Sequence, residues 1–190
     1  MTGFDLVARL HEQLDFHWHA QARPRLDGLT DDEYLWEPAP GTWNVRRRGD
    51  GPPGTVTTRA GSAQWLLDFA FPEPEPAPVT SIAWRIAHVV VGVLGARAHS
   101  HFDGPPADYD EFPYAGTAQE ALDQLDAAYG AWSAGVRSLT TDQLALPVGP
   151  AEGPFAEDPM IVLVLHLNRE TIHHLAEVAL LRDLWANGVR

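Results

Sequence analysis

Apolar residues recur at steps of three and four in four long stretches of the chain. In the first, about residues 4–23, Val7, Leu10, Leu14, His17 and Trp18 mark one buried helical face, and Pro24 stands where such a helix stops. Thr30 with Glu33 three residues on reads as a capping box for a brief helix through Tyr34, Leu35 and Trp36, ended by Pro38 and Pro40. The second long helix is expected from Thr80 or Ser81 to about His101. It is apolar nearly all round, which predicts deep burial, and Gly92 and Gly95 would let a neighbouring helix come close. The third opens at a Thr117–Glu120 capping box and carries Leu122, Leu125, Tyr129, Trp132 and Val136 as its stripe. The fourth is expected from Asp158, with Pro159 in the first turn, to about Trp185, where Asn187-Gly188 stops it.

Residues 41–79 break this rhythm. GDGPPG and PEPEPAP interrupt any regular element, and a short helix at 63–69 is the only one the pattern offers there. A loop of that length in a small domain is usually functional or mobile. Four long helices without a convincing strand predict an all-α four-helix bundle, one domain over 1–190, with a long irregular loop between helices one and two. There is also an internal echo. Leu29-Thr30 follows helix one and Leu139-Thr140 follows helix three, each leading into a short turn and then a proline, as two related hairpins would.

Composition narrows the chemistry. A hydrophobic share of 45% over 190 residues is ample for a real core. Cysteine is absent, which excludes disulfides, thiolate metal ligands and a cysteine nucleophile. The N-terminus carries acids and histidines early and has no unbroken apolar run, so no secretory signal is expected and the cytoplasm is the expected compartment. Apolar runs such as 89–94 and 161–165 are too short for a bilayer, and no membrane association is expected. A net charge of −13 repels phosphate backbones, and Arg46-Arg47-Arg48 is a short basic triplet, so no nucleic-acid partner is expected.

The chemistry-bearing residues cluster on helix four. Leu163, Leu167, Glu170, His174, Glu177 or Val178, and Leu181 share a stripe, with Glu170 and His174 side by side at i and i+4. A carboxylate and an imidazole facing a core are costly unless compensated, and a divalent cation compensates both. His88, in the most apolar stretch of helix two, offers a third ligand. His88, Glu170 and His174 would then hold one metal ion and leave a side open for water or substrate. The same residues also suit a buried Glu170–His174 hydrogen bond beside a satisfied core histidine, and the pattern leaves both readings open. His166 and His173 flank the stripe, His17 lies nearest helix one's buried face, and His99 and His101 close helix two as solvated residues. Trp84, one turn before His88, is placed to wall a pocket. No G-x-S-x-G, phosphate loop or H-E-x-x-H occurs.

HLNRETIHHLAEVALLRDL, with IAWRIAHVV upstream and LTDDEYLWEP near the start, resembles the DinB-like superfamily, bacterial four-helix-bundle metalloenzymes. The resemblance runs from helix one to helix four and leaves out the loop at about 44–79. It implies a metal held by a His on the second helix and an H-x-x-x-H on the fourth. Here Glu170 stands in place of the first His of that pair. Mycothiol-dependent maleylpyruvate isomerases are similar in using a His, Glu, His set on zinc, so the resemblance implies His88, Glu170 and His174 as ligands. Those isomerases carry a further C-terminal region that is not seen here, and isomerase activity is not expected. The resemblance implies zinc, with nickel, iron or manganese as alternatives, and a low-molecular-weight thiol such as mycothiol as co-substrate. The first expectation is an S-transferase acting on a small electrophile. A hydrolase using metal-activated water and a non-catalytic stress-response or small-molecule binding module are the alternatives. Members often pair, so an isologous homodimer is an expectation.

Overall fold

The computed structural model describes residues 4–189. Helix α1 (Leu6–His17) starts where Asp5 accepts the amide of Ala8 at 3.0 Å, and it buries Val7, Leu10 and Leu14, as its spacing requires. It runs on through a π-helical segment, Trp18–Ala22, whose wider turn shows in the Arg23 amide donating to the Trp18 carbonyl five residues back. Pro24 opens a 3-10 turn, Pro24–Leu26, and Thr30 caps the short α2 (Asp31–Tyr34).

The segment expected to be an irregular loop contains a small sheet. Strands β1 (Val45–Arg47), β2 (Thr58–Ala60) and β3 (Trp65–Phe69) pair antiparallel in the order β1-β3-β2. Leu67 is central, opposite Val45 on one side and Ala60 on the other, and all three are buried. The helix expected at 63–69 is therefore a strand. Five residues are too few to build a stable helical face but enough to cross a sheet. Asp68 fixes the choice. Its fully buried carboxylate accepts from the Asn44 amide at 3.1 Å, Arg46 Nε at 2.7 Å and Arg59 Nε at 3.4 Å, donors drawn from both neighbouring strands and the chain leading into β1. The sheet segment is fastened to the start of the second long helix. The Trp43 amide donates to the Val79 carbonyl and the Ser81 amide to the Trp43 carbonyl, both at 2.9 Å, and the Ser81 hydroxyl donates to Asn44 Oδ1 at 2.6 Å while accepting the Trp84 amide at 3.1 Å.

From that cap the second long helix runs as α3 (Ile82–His88), a π-helical segment (Val89–Gly95) and α4 (Ala96–Phe102). Asp103 in the left-handed region, with the Gly104 amide returning to the Ala98 carbonyl at 3.0 Å, ends it. Helix α5 (Ala118–Ser138) has its Thr117 cap, and Glu120 reaches back to the Gly116 amide at 3.2 Å. Helix α6 (Met160–Ala186) is capped by Pro159 itself, one position earlier than expected for that proline. α5 lies along the π segment, α6 packs on α3 and the π segment, and α1 packs on α5 and α6, which closes a four-helix bundle. Trp132, Leu125, Leu167, Ile82 and Ile86 fill its centre, and Trp18 stacks on Tyr129 at 3.9 Å. Gly92 and Gly95 admit Tyr109 and Ala107, residues of the connection between α4 and α5, and not a neighbouring helix. The expected echo holds at its turns: Thr30 and Thr140 each accept the amide three residues on, at 3.3 Å.

Candidate metal centre

His88 is the last residue of α3, where the π segment begins, and Glu170 and His174 lie on α6 across from it. The His88 and His174 rings stand 4.7 Å apart and nearly perpendicular. His174 Nε2 lies 3.6 Å from Glu170 Oε2, too far for a hydrogen bond. The buried Glu170–His174 hydrogen bond weighed from sequence is thus not formed.

The other nitrogen of each ring is engaged. His88 Nδ1 meets the Tyr109 hydroxyl at 2.9 Å. His174 Nδ1 meets Glu177 Oε2 at 3.0 Å, with Arg85 Nη1 at 3.3 Å, and Arg85 closes a tight ion pair with Glu177. Burial pushes the His88 pKa down to about 4, helped by the nearby His174, so the ring is neutral at neutral pH. Burial also pushes the Tyr109 hydroxyl up to about 12, which keeps it protonated. Arg85 is lowered by burial in spite of Glu177.

The sheet supplies a wall. Trp84 lies nearly parallel to His88 at 5.4 Å and donates its indole N–H to the Asp68 carbonyl at 2.8 Å. Trp43 packs on Trp84 at 6.1 Å, and Phe69 on Tyr109 at 6.5 Å. Trp84 walls the site as its spacing implied.

The structure brings His88 and His174 together and sets Glu170 against His174. The other oxygen of Glu170 faces Arg169 at 3.3 Å and His166 at 3.6 Å. Neither Glu170 nor His174 sits in mid-core. The buried stripe of α6 runs through Val164, Leu167, Thr171, Leu175 and Val178, while the Glu170 and His174 side chains border it at 28% and 13% exposure. Among the described residues, His173, His174 and Glu177 form the His/acid group whose ligand atoms all lie within 4.8 Å of one another, so a His–His–Glu group is placed to hold a metal ion. Within that group the Glu177 carboxylate is already matched by Arg85, whose positive charge opposes a cation on that side, and His173 is largely exposed. Glu177 therefore acts first as the partner of His174 Nδ1.

Tyr109 and Arg85 were not expected at the site. Tyr109 lies in an aperiodic connection, and no sequence signal points from it to His88. Arg85 is one turn from His88, and that spacing was the available clue. Of the other histidines, His17 bonds Gln21 at 3.0 Å beside a separate cleft of about 870 Å³ between the end of α1 and the end of α6, so it does not reach the site. His101 is not solvated: its side chain is 6% exposed and meets Glu152 at 2.9 Å. His99 is exposed, and its Nδ1 meets the Gly104 carbonyl at 2.8 Å. His11 meets Ser133 at 2.7 Å, but Asp15 approaches the same ring nitrogen, so the three form no catalytic relay.

An all-α bundle with a His/Glu cluster between two facing helices defines the class. The sequence pattern of the DinB superfamily matches residues 54–178, and the chain belongs to that superfamily. The match takes in His88, Glu170 and His174 and begins inside the sheet segment, leaving α1 outside. No curated protein and no solved structure matches the chain.

Proposed function

We propose that the protein is a metal-dependent enzyme that binds one divalent ion through His88, Glu170 and His174 and transfers a small thiol, of the mycothiol type, to an electrophilic carbon. One observation carries this reading: two imidazoles from facing helices meet at 4.7 Å with the Nδ1 of each already engaged, which leaves Nε2 of both for a ligand. Metal-binding histidines are held in this way, with the second ring nitrogen fixed by an oxygen. The donor set is of the kind a divalent ion takes, and its ligand atoms, which do not all lie within 4.8 Å of one another, would draw together on binding. It offers two imidazoles, one of them held neutral by burial, and a carboxylate whose nearer oxygen stands 3.6 Å from the other without bonding it. Zinc suits these donors, and nickel, iron and manganese share them.

A divalent ion bound there lowers the pKa of a thiol beside it, so that thiolate is available at neutral pH. The protein's own residues do the rest. Tyr109 and Trp84 fix the His88 ring, Glu177 fixes His174, and Arg85 balances the Glu177 charge. In the transfer the sulfur bonds the electrophilic carbon, the leaving group departs with its electron pair, and the thiol proton goes to solvent.

The test is S-conjugation of an activated halide in the presence of zinc and mycothiol. Conjugate formed by the wild type and reduced to background in His88→Ala supports the proposal. Turnover in mixtures without thiol overturns it in favour of metal-assisted hydrolysis. No product in either mixture overturns it in favour of a binding module.

A further inference from the structure

We propose that Tyr109 is a positioning residue for this centre, and that the absence of a side chain at Gly92 is what admits it. The inference rests on reading His88 as a metal ligand. Gly92 lies four residues after His88, one turn on, inside the π-helical segment. A Cβ built there would fall 1.9 Å from the Tyr109 hydroxyl oxygen, 2.8 Å from its Cζ and 3.2 Å from His88 Nδ1. The hydroxyl thus occupies the space that a side chain at position 92 would fill, and from there it reaches His88 Nδ1 at 2.9 Å.

The consequence concerns the tautomer. When the ring binds a metal through Nε2 its proton sits on Nδ1, and the hydroxyl oxygen lodged there accepts that N–H. Without the oxygen, the Nδ1–H of the metal-binding form would lose the partner the structure gives it.

Tyr109 is itself held from two directions. Its carbonyl accepts from the Tyr114 hydroxyl at 3.0 Å. The connection that carries it is tied to the sheet by the Ser62 hydroxyl on the Glu111 carbonyl at 2.6 Å and by the Ser62 amide on the Phe112 carbonyl at 3.3 Å. Phe69 of β3 packs on its ring. The sheet inserted between α2 and α3 therefore reaches His88 twice, through Trp84 against the ring face and through Tyr109 at Nδ1.

Tyr109→Phe removes one oxygen and keeps the ring. Zinc affinity, measured by competition with a chromophoric chelator, is expected to fall roughly 10- to 100-fold, with the helical circular dichroism unchanged. Gly92→Ala, which displaces the hydroxyl, is expected to lose affinity in the same range. A second readout uses zinc-loaded protein, in which the His88 proton is on Nδ1. Long-range proton–nitrogen NMR should show that Nδ1–H shifted downfield by its hydrogen bond in the wild type and moved upfield in Tyr109→Phe, a change that loosened packing alone would not produce. Unchanged affinity in Tyr109→Phe overturns the proposal, and so does lost affinity with an unchanged His88 Nδ1–H shift. Glu170→Ala and His174→Ala keep the two claims apart. If they bind zinc as the wild type does, the ligand set is wrong and the role of Tyr109 falls with it. If they lose zinc and Tyr109→Phe does not, only the positioning role fails.

Discussion

Gly135 marks a close approach of α5 to Phe102 at the end of α4. A Cβ there would lie 2.1 Å from Phe102 Cδ2, and Phe102 is backed by Trp132 at 5.4 Å. Gly135→Ala should gain helix propensity and still destabilise the protein, because overpacking costs about 1–3 kcal/mol and exceeds the gain of about 1 kcal/mol. A lowered midpoint in urea unfolding checks it. Asp68 is the second sensitive position. Asp68→Ala leaves Arg59 and part of Arg46 uncompensated beside a buried gap, and losing one partner of a buried pair costs about 3–5 kcal/mol. The same unfolding measurement reads it. At this scale the sequence was informative where packing is periodic: Leu125, Trp132 and Leu167 follow from helical spacing alone. Asp68 was not legible, because its donors Asn44, Arg46 and Arg59 are 9 to 24 residues away and meet it only once the sheet has formed. Tyr109 escaped for the same reason.

Among the elements, the 3-10 segment Pro150–Phe155 is clasped to α4 by one side chain. Glu152 takes His101 Nε2 at 2.9 Å and Arg97 Nη2 at 3.3 Å, and Arg97 also donates to the Gly92 carbonyl in the π segment. Burial raises the Glu152 pKa, but the His101 hydrogen bond and the Arg97 charge outweigh it, and the net shift is downward. A carboxylate whose pKa is lower in the folded state binds fewer protons there than in the unfolded chain. Its contribution to stability is therefore complete above its ordinary value of 4.5 and fades as pH falls through the lowered one. Glu152→Gln should reduce stability at neutral pH and flatten the acid side of the stability–pH curve, as thermal unfolding at a series of pH values would show. The expected extent of the second long helix was close to the observed one. Its two α-helical halves joined by a π segment were not legible, since a run of valines with Gly92 and Gly95 looks the same in either helical geometry. The strand β3 was misread as a helix because a stretch of five residues is too short to show a period of its own.

For the whole molecule, four helical patterns with caps and stops were enough to define the bundle, and the resemblance to the family rested on motifs in two of its helices and on one at the short α2. What the pattern could not supply was the sheet's place against His88, because short strands joined by breaker-rich loops acquire their partners only through tertiary pairing. A metal held between α3 and α6, as proposed, would also link ligand binding to global stability. Zinc at about a hundredfold excess over its Kd should stabilise the folded chain by about 2.7 kcal/mol. The melting temperature should rise with zinc in the wild type and stay level in His88→Ala. Among the described residues no helix is long and apolar enough to cross a membrane. The most direct test of the central claim is elemental analysis of protein purified without a histidine tag, beside Glu170→Ala and His174→Ala. The account predicts about one divalent ion per chain in the wild type, lost in both variants. A wild type that stays empty after zinc, nickel and manganese are offered would contradict it, and would leave His88, Glu170 and His174 as a polar seam without a metal.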